Sequence, residues 1–161
     1  MNRFAPAFGI AGVFVASILV LALAVATSGA AEYRLGQLVI EAPWVRASPP
    51  GASTAAGFLT IRNQSNSPAR LVAISAAFAA RAEIHEMKMA GDVMQMRPID
   101  LEIAPGASAE LAPGGQHLMF MGLTGKLNPG GRETIRLEFE GMGEIEVEFS
   151  VEPVGAKAPS N

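Results

Sequence analysis

The sequence predicts an all-β sandwich with Greek-key links, preceded by an export segment. Three observations predict it. Short runs with strand character recur after residue 31, and Pro/Gly clusters at 48–51, 105–106, 113–115 and 129–131 break them up, the spacing of a many-stranded sandwich. No stretch carries a long, capped helical stripe, and the nearest rival, the Ala-rich segment 73–82, lacks the 3.6-residue period. With 161 residues, half of them hydrophobic and 17% charged, the chain has the length of about one domain and the composition of a folded one.

Residues 1–31 carry a single charged side chain, Arg3, then an apolar run over 10–26 interrupted only by Gly12 and Ser17, then Thr27-Ser28-Gly29-Ala30-Ala31. A positive start, an apolar centre and a small-residue site are the signature of a cleaved secretory signal peptide. An uncleaved membrane anchor is the rival, because the apolar run approaches the ~20 residues that span a bilayer; the small-residue cluster favours cleavage. Strands are expected at 38–40, 44–46, 56–63, 70–75, 82–89, 93–97, 101–103, 107–111, 117–123, 134–140 and 145–151. In the run 134–140, Ile135, Leu137 and Phe139 alternate with Thr134, Arg136, Glu138 and Glu140, so one face of that strand is buried. The domain thus occupies 32–151. The segment 152–161, with two Pro and no large apolar residue beyond Val154, is expected to be a loose tail.

Composition excludes several functions. The net charge is −3, becoming −4 from Glu32 onward, and no basic run stands out, so a nucleic-acid partner has no electrostatic footprint. The absence of cysteine excludes disulfides, Cys-ligated zinc, thiol catalysis, Fe–S clusters, c-type haem and blue copper.

Methionine is the unusual feature. Six of the eight methionines lie between Met87 and Met121, a segment that also holds both histidines, His85 and His117. The stretch 85–96 reads as a β-hairpin turning at Gly91-Asp92 in a two-residue II′ turn. That register sets Met89 against Met94 and Met87 against Met96, with His85 diagonal to Met96 at ~7–8 Å. His85, Met87, Met89, Met94 and Met96 then share one face, and His117, Met119 and Met121 share one face of a later strand. Thioether sulfur with imidazole nitrogen is a soft ligand set that selects Cu(I). Ca²⁺ and Mg²⁺ want oxygen, and Zn²⁺ seldom takes thioether. Methionine is also a common core filler, and packing or a shielding shell is the expectation for Met87, Met89 and Met94. The pattern alone therefore leaves ligation and packing both open, with ligation favoured because the only two histidines each stand at even spacing from a methionine.

At these residues the sequence resembles the periplasmic CuA chaperone (PCuAC) family of copper-binding proteins. His85 is followed after ten residues by Met96, and after twenty more by His117-Leu118-Met119. Trp44-Val45-Arg46-Ala47, Pro49-Pro50-Gly51, the flanks 93–98 and 113–119, and Met121-Gly122-Leu123 also resemble the family, and the likeness spans 38–151. It implies a cupredoxin-like β-sandwich holding one Cu(I) through His85, Met96, His117 and Met119. It further implies delivery of copper to cytochrome c oxidase copper centres alongside Sco-type thioredoxin-like proteins. Some relatives carry a His- and Met-rich tail; 151–161 has neither residue, so no tail site is expected. The chain is expected to be a periplasmic, monomeric carrier with no small-molecule substrate, rather than a copper oxidase or a metal-free adhesive sandwich.

Overall fold

The computed structural model describes residues 31–160. The export segment expected over 1–31 lies outside the described residues apart from Ala31. Eleven strands follow: β1 (Glu32–Leu35), β2 (Leu38–Arg46), β3 (Thr54–Asn63), β4 (Ala69–Ala76), β5 (Ala79–Ala90), β6 (Val93–Pro98), β7 (Leu101–Ile103), β8 (Ser108–Leu111), β9 (Gln116–Leu123), β10 (Arg132–Phe139) and β11 (Gly143–Glu152). Among the described residues no helix is long and apolar enough to cross a membrane. The Ala-rich stretch 73–82 is the end of β4, a tight turn and the start of β5.

The hydrogen-bonded order is β6-β5-β9-β3-β2-β11-β10-β4-β7, with β1 on β2 and β8 on β3. Strands distant in sequence are thus neighbours, as Greek-key links require. The order folds into two layers because β4 and β5, remote from each other in it, are joined by that one turn. Ile84, Leu118, Phe120, Leu59 and Ile61 from one layer pack in one buried cluster with Ile135, Leu137, Phe139, Val147 and Phe149 from the other. The alternation expected in β10 is present: Ile135, Leu137 and Phe139 are buried, while Arg136 and Glu138 face water.

Two differences from the sequence reading lie in β1 and β2. β1 is short and mostly polar, and it exists because it pairs with the first half of β2, Leu35 against Leu38. β2, expected as two runs, is one strand kinked at Ala42-Pro43. Ala42 takes φ 49°, and the register with β3 shifts between Glu41 and Trp44. Proline removes a ladder donor, so pairing must change there. Beyond the kink Trp44–Arg46 leaves β1 and runs parallel to β11 at Ser150–Glu152.

A third difference is at the C-terminus. Glu152 is the buried last residue of β11, and its carboxylate accepts hydrogen bonds from the Ser150 and Ser160 hydroxyls at 2.8 and 2.6 Å. The Arg46 guanidinium donates twice to the Ala156 carbonyl, at 3.1 and 2.9 Å. The segment expected to be a loose tail is fastened at two points.

Candidate metal centre

β5 and β6 form the expected hairpin, with Met87 opposite Met96, Met89 opposite Met94 and Ala90 opposite Val93. Gly91 has φ 64°, whereas Ala42 is the only described non-glycine with positive φ, so the Gly91-Asp92 turn has the II′ signature. His85 faces Pro98, which puts Met96 on the diagonal. On its other edge β5 pairs with β9, His85 directly opposite His117 and Glu83 opposite Met119. That ladder ends at Glu86 and Gln116, so the ribbon beyond residue 87 extends past β9 with β6 alone as its neighbour. Leu118 and Phe120 point into the core, fully buried, and alternation turns His117 and Met119 to the outer face with His85 and Met96.

His117 is buried, and its Nδ1 lies 3.1 Å from the Gly115 carbonyl oxygen. A carbonyl only accepts, so Nδ1 carries the proton and Nε2 keeps a lone pair. Burial pushes the His117 pKa down; the Gly115 carbonyl pulls it up, and neighbouring His85 and Arg46 push it down further, with a net lowering that favours the neutral ring. The His85 Nε2 lies 3.0 Å from Glu83 Oε2. That bond holds the Glu83 carboxyl below its usual range, so it is an ionised acceptor and Nε2 carries the proton. The other nitrogen, His85 Nδ1, is buried with no hydrogen-bond partner. A buried polar atom without a partner costs about 1–3 kcal/mol, and in the neutral ring this nitrogen is an acceptor whose cost a species seeking an electron pair removes. The two imidazoles are 6.1 Å apart between ring centres.

Behind them, Trp44 and Phe58 stack at 4.4 Å, Phe58 stands 6.4 Å from His117, and Arg46 lies over both rings at 6.0 and 5.3 Å. A cleft of about 290 Å³ opens against this wall and is bordered by Met87, Met96, His117 and Met119, with Phe58 and Arg46. In a flat sheet Met96 and Met119 would be about 16 Å apart by strand spacing and rise; twist of the long ribbon brings both to one cleft. Three of the four residues singled out by the motif thus line the cleft. The fourth, His85, is not on its wall but stands beside His117.

The thioethers divide in an unexpected way. Met87 is half-buried at the cleft, consistent with a shell, and the Met121 sulfur lies 3.3 Å from the Arg81 guanidinium. Met89 and Met94 are 55% and 57% exposed, so the packing expected of them is absent. Alternation assigns side chains to a face but does not say what covers that face; among the described residues nothing covers Met89 and Met94. Glu83 and the Gly115 carbonyl, which orient the two imidazoles, were missed. Both stand two residues before their histidine, where the same alternation could have found Glu83. Among the described residues no group of three or more His, Cys, Asp or Glu that could hold a metal ion is assembled.

The family model described as "Putative lipoprotein LpqE-like" matches residues 38–151, nearly the whole sandwich. The chain belongs to the LpqE-like family. One relative of this LpqE-like protein is "Putative lipoprotein Lxx21020" of Leifsonia xyli subsp. xyli, 32% identical over 98 residues, 60% of this chain and 58% of that one. The match therefore spans little more than half of that relative's length. Among solved structures, the copper-bound PCuAC domain from PmoF2 superposes with a TM-score of 0.65 at 27% identity, covering 76% of this chain and 98% of that domain. The apo PCuAC domain from PmoF1 gives 0.68 at 27% identity, over 76% and 99%. The solution structure of CuI-DR1885 from Deinococcus radiodurans gives 0.56 at 27% identity, over 79% and 83%. The LpqE-like protein thus has the all-β, cupredoxin-like fold of PCuAC copper-chaperone domains, and its relatives are binding domains and lipoproteins rather than enzymes.

Proposed function

We propose that the protein is an exported copper chaperone. It takes one Cu(I) as cargo through His85, Met96, His117 and Met119, and delivers it to the copper centres of cytochrome c oxidase in company with Sco-type proteins. One observation carries the copper reading: two neighbouring imidazoles, His117 buried and His85 half-buried, each have one nitrogen tied down and the other, His85 Nδ1 and His117 Nε2, free to offer a lone pair in the neutral ring, beside a cleft bordered by thioethers. Two neutral nitrogens and two neutral sulfurs suit a soft monovalent ion. The copper-bound state of a PCuAC neighbour supports the same cargo.

Export rests on the pattern of residues 1–31 and on the lipoprotein relatives.

Anaerobic Cu(I) titration with copper X-ray absorption tests the site. The expected result is one tightly held copper with two sulfur and two nitrogen scatterers; oxygen-dominated scattering, or two tightly held coppers, refutes the ligand set. Transfer from the loaded protein to a soluble CuA domain of the oxidase tests delivery, and retention of all copper by the donor refutes it.

A further inference from the structure

The hairpin tip presents a feature that the cleft does not use. Met89 and Met94 are a directly opposed cross-strand pair, 55% and 57% exposed, next to Val93 at 62% and Met96 at 48%. Isolated exposed apolar side chains are ordinary, but here three thioethers stand on one face of a ribbon with no third strand. Among the described residues no apolar surface covers them, so packing within the described domain does not account for them.

The array is chemically uniform. Met89 and Met94 form one rung, Met87 and Met96 the next, and alternation puts all four on one face while Lys88 and Gln95 take the other. Opposed residues in an antiparallel pair have Cβ atoms about 4.5–5.5 Å apart. Methionine has three rotatable side-chain bonds and a polarisable sulfur, so two opposed methionines can close on one ion between them. The inner rung, Met87 and Met96, borders the cleft. The outer rung therefore leads from solvent to the cleft over one step of thioethers.

We propose that Met89 and Met94 form a second, weaker Cu(I) site at the hairpin tip, through which copper enters and leaves the cleft. The site is weaker because it offers two exposed, unoriented thioethers, against two thioethers and two pre-oriented imidazoles below. The metal enters as Cu(I) and leaves as Cu(I); no electron or proton moves. The direction of transfer rests on the proposed copper reading of the cleft, but binding at the tip does not.

The test is an anaerobic titration of the protein, labelled on its methionine methyl groups, with Cu(I) supplied as its acetonitrile complex and read by NMR. The Met96 and Met119 methyl signals should move with the first equivalent. The Met89 and Met94 signals should move together only as copper is added in excess, with a midpoint at least tenfold higher. In the Met89→Leu/Met94→Leu variant the second phase should vanish and the first stay within twofold, while a dilute chelator should strip the cleft copper at least threefold more slowly. Met89 and Met94 signals that stay still at tenfold excess overturn the proposal, as does unchanged stripping in the variant. If Met89 and Met94 respond while Met119 does not, the tip site stands and the cleft reading fails; the reverse result sinks the tip site alone.

Discussion

Protons compete with copper at imidazole nitrogen, so the strongest test of the proposed ligands is the pH dependence of Cu(I) affinity. Thioethers do not titrate, which leaves the two histidines to set the slope. An imidazole with the ordinary value of ~6.5 would cost about 1.4 log units of affinity between pH 7 and 5. His117 has its pKa pushed below that value by burial, so 1.4 log units is its upper limit, and its contribution opens below pH ~6.5. The limiting slope for two ligating histidines is two log units per pH unit, and for one histidine it is one. The perturbation is His85→Gln, which leaves His117 as the only titrating ligand. Competition with a chelator of known proton chemistry, from pH 8 to 4, should then show a single-proton slope. Its turning point should match the His117 pKa measured by NMR on the metal-free variant. A flat affinity over that range, a loss above 1.4 log units between pH 7 and 5, or a turning point away from the NMR value refutes the assignment.

Replacing Met96 by Leu keeps volume and removes only sulfur, so Cu(I) affinity measured by competition should fall sharply with the fold unchanged; Met94→Leu should leave the tight site nearly untouched, and equal effects would mean the wrong thioether was assigned. Phe120 is fully buried, so Phe120→Ala should cost about 3–5 kcal/mol in urea unfolding, and a cost under 1 kcal/mol would contradict the packing. A Cβ at residue 57 would sit 2.8 Å from the Phe120 ring, so Gly57→Ala should destabilise by about 1–3 kcal/mol through overpacking, read from the same urea midpoints. Because the folded His117 pKa lies below the unfolded value, the unfolded chain takes up a proton that the fold refuses. Stability of the copper-free protein should therefore fall as pH drops through the ordinary histidine range, and that contribution should stop falling once pH is below the folded pKa. Urea midpoints at pH 7.5 and 5.5 check this, and a difference that persists undiminished in His117→Leu assigns it elsewhere.

Much of this was legible in the sequence, because period-two alternation is local information. The β5–β6 register, the faces of His85, Met96, His117 and Met119, and the buried row of β10 all follow from counting residues along a strand from a Gly-containing turn. What escaped depends on contacts remote in sequence. β1 has too few apolar residues to announce itself and is held by its partner. The single strand β2 hides behind Ala42-Pro43, which read as a break. The fastening of 152–160 depends on Arg46, 110 residues before Ala156. The exposure of Met89 and Met94 follows from β9 beginning only at Gln116, which leaves the tip of the ribbon without a third strand.

Charge adds an argument to softness. None of the four proposed ligands is anionic, and two groups of opposite sign flank them: Glu83 hydrogen-bonds His85, and Arg46 stands on the cleft wall, over Trp44 and Phe58 and tied to the Ala156 carbonyl. An ion bound there therefore brings its full charge into a partly buried site without a counter-charge. The solvation cost of burying a charge grows with its square, so a divalent ion meets about four times the penalty of a monovalent one in the same place. Carboxylate-rich sites offset that penalty, and this one does not. The same argument separates the two halves of the ligand set. In the proposed site His117 is buried, His85 is half-buried, and both are oriented, by Gly115 and Glu83, so little ordering would remain when copper arrives and the imidazoles would supply affinity. Met96 is 48% exposed on an unsupported ribbon, so as a proposed ligand it would have to be drawn in on binding and would be the first to let go. A cargo site needs this asymmetry: a rigid nitrogen half that holds the ion, and a movable sulfur half that opens toward the recipient.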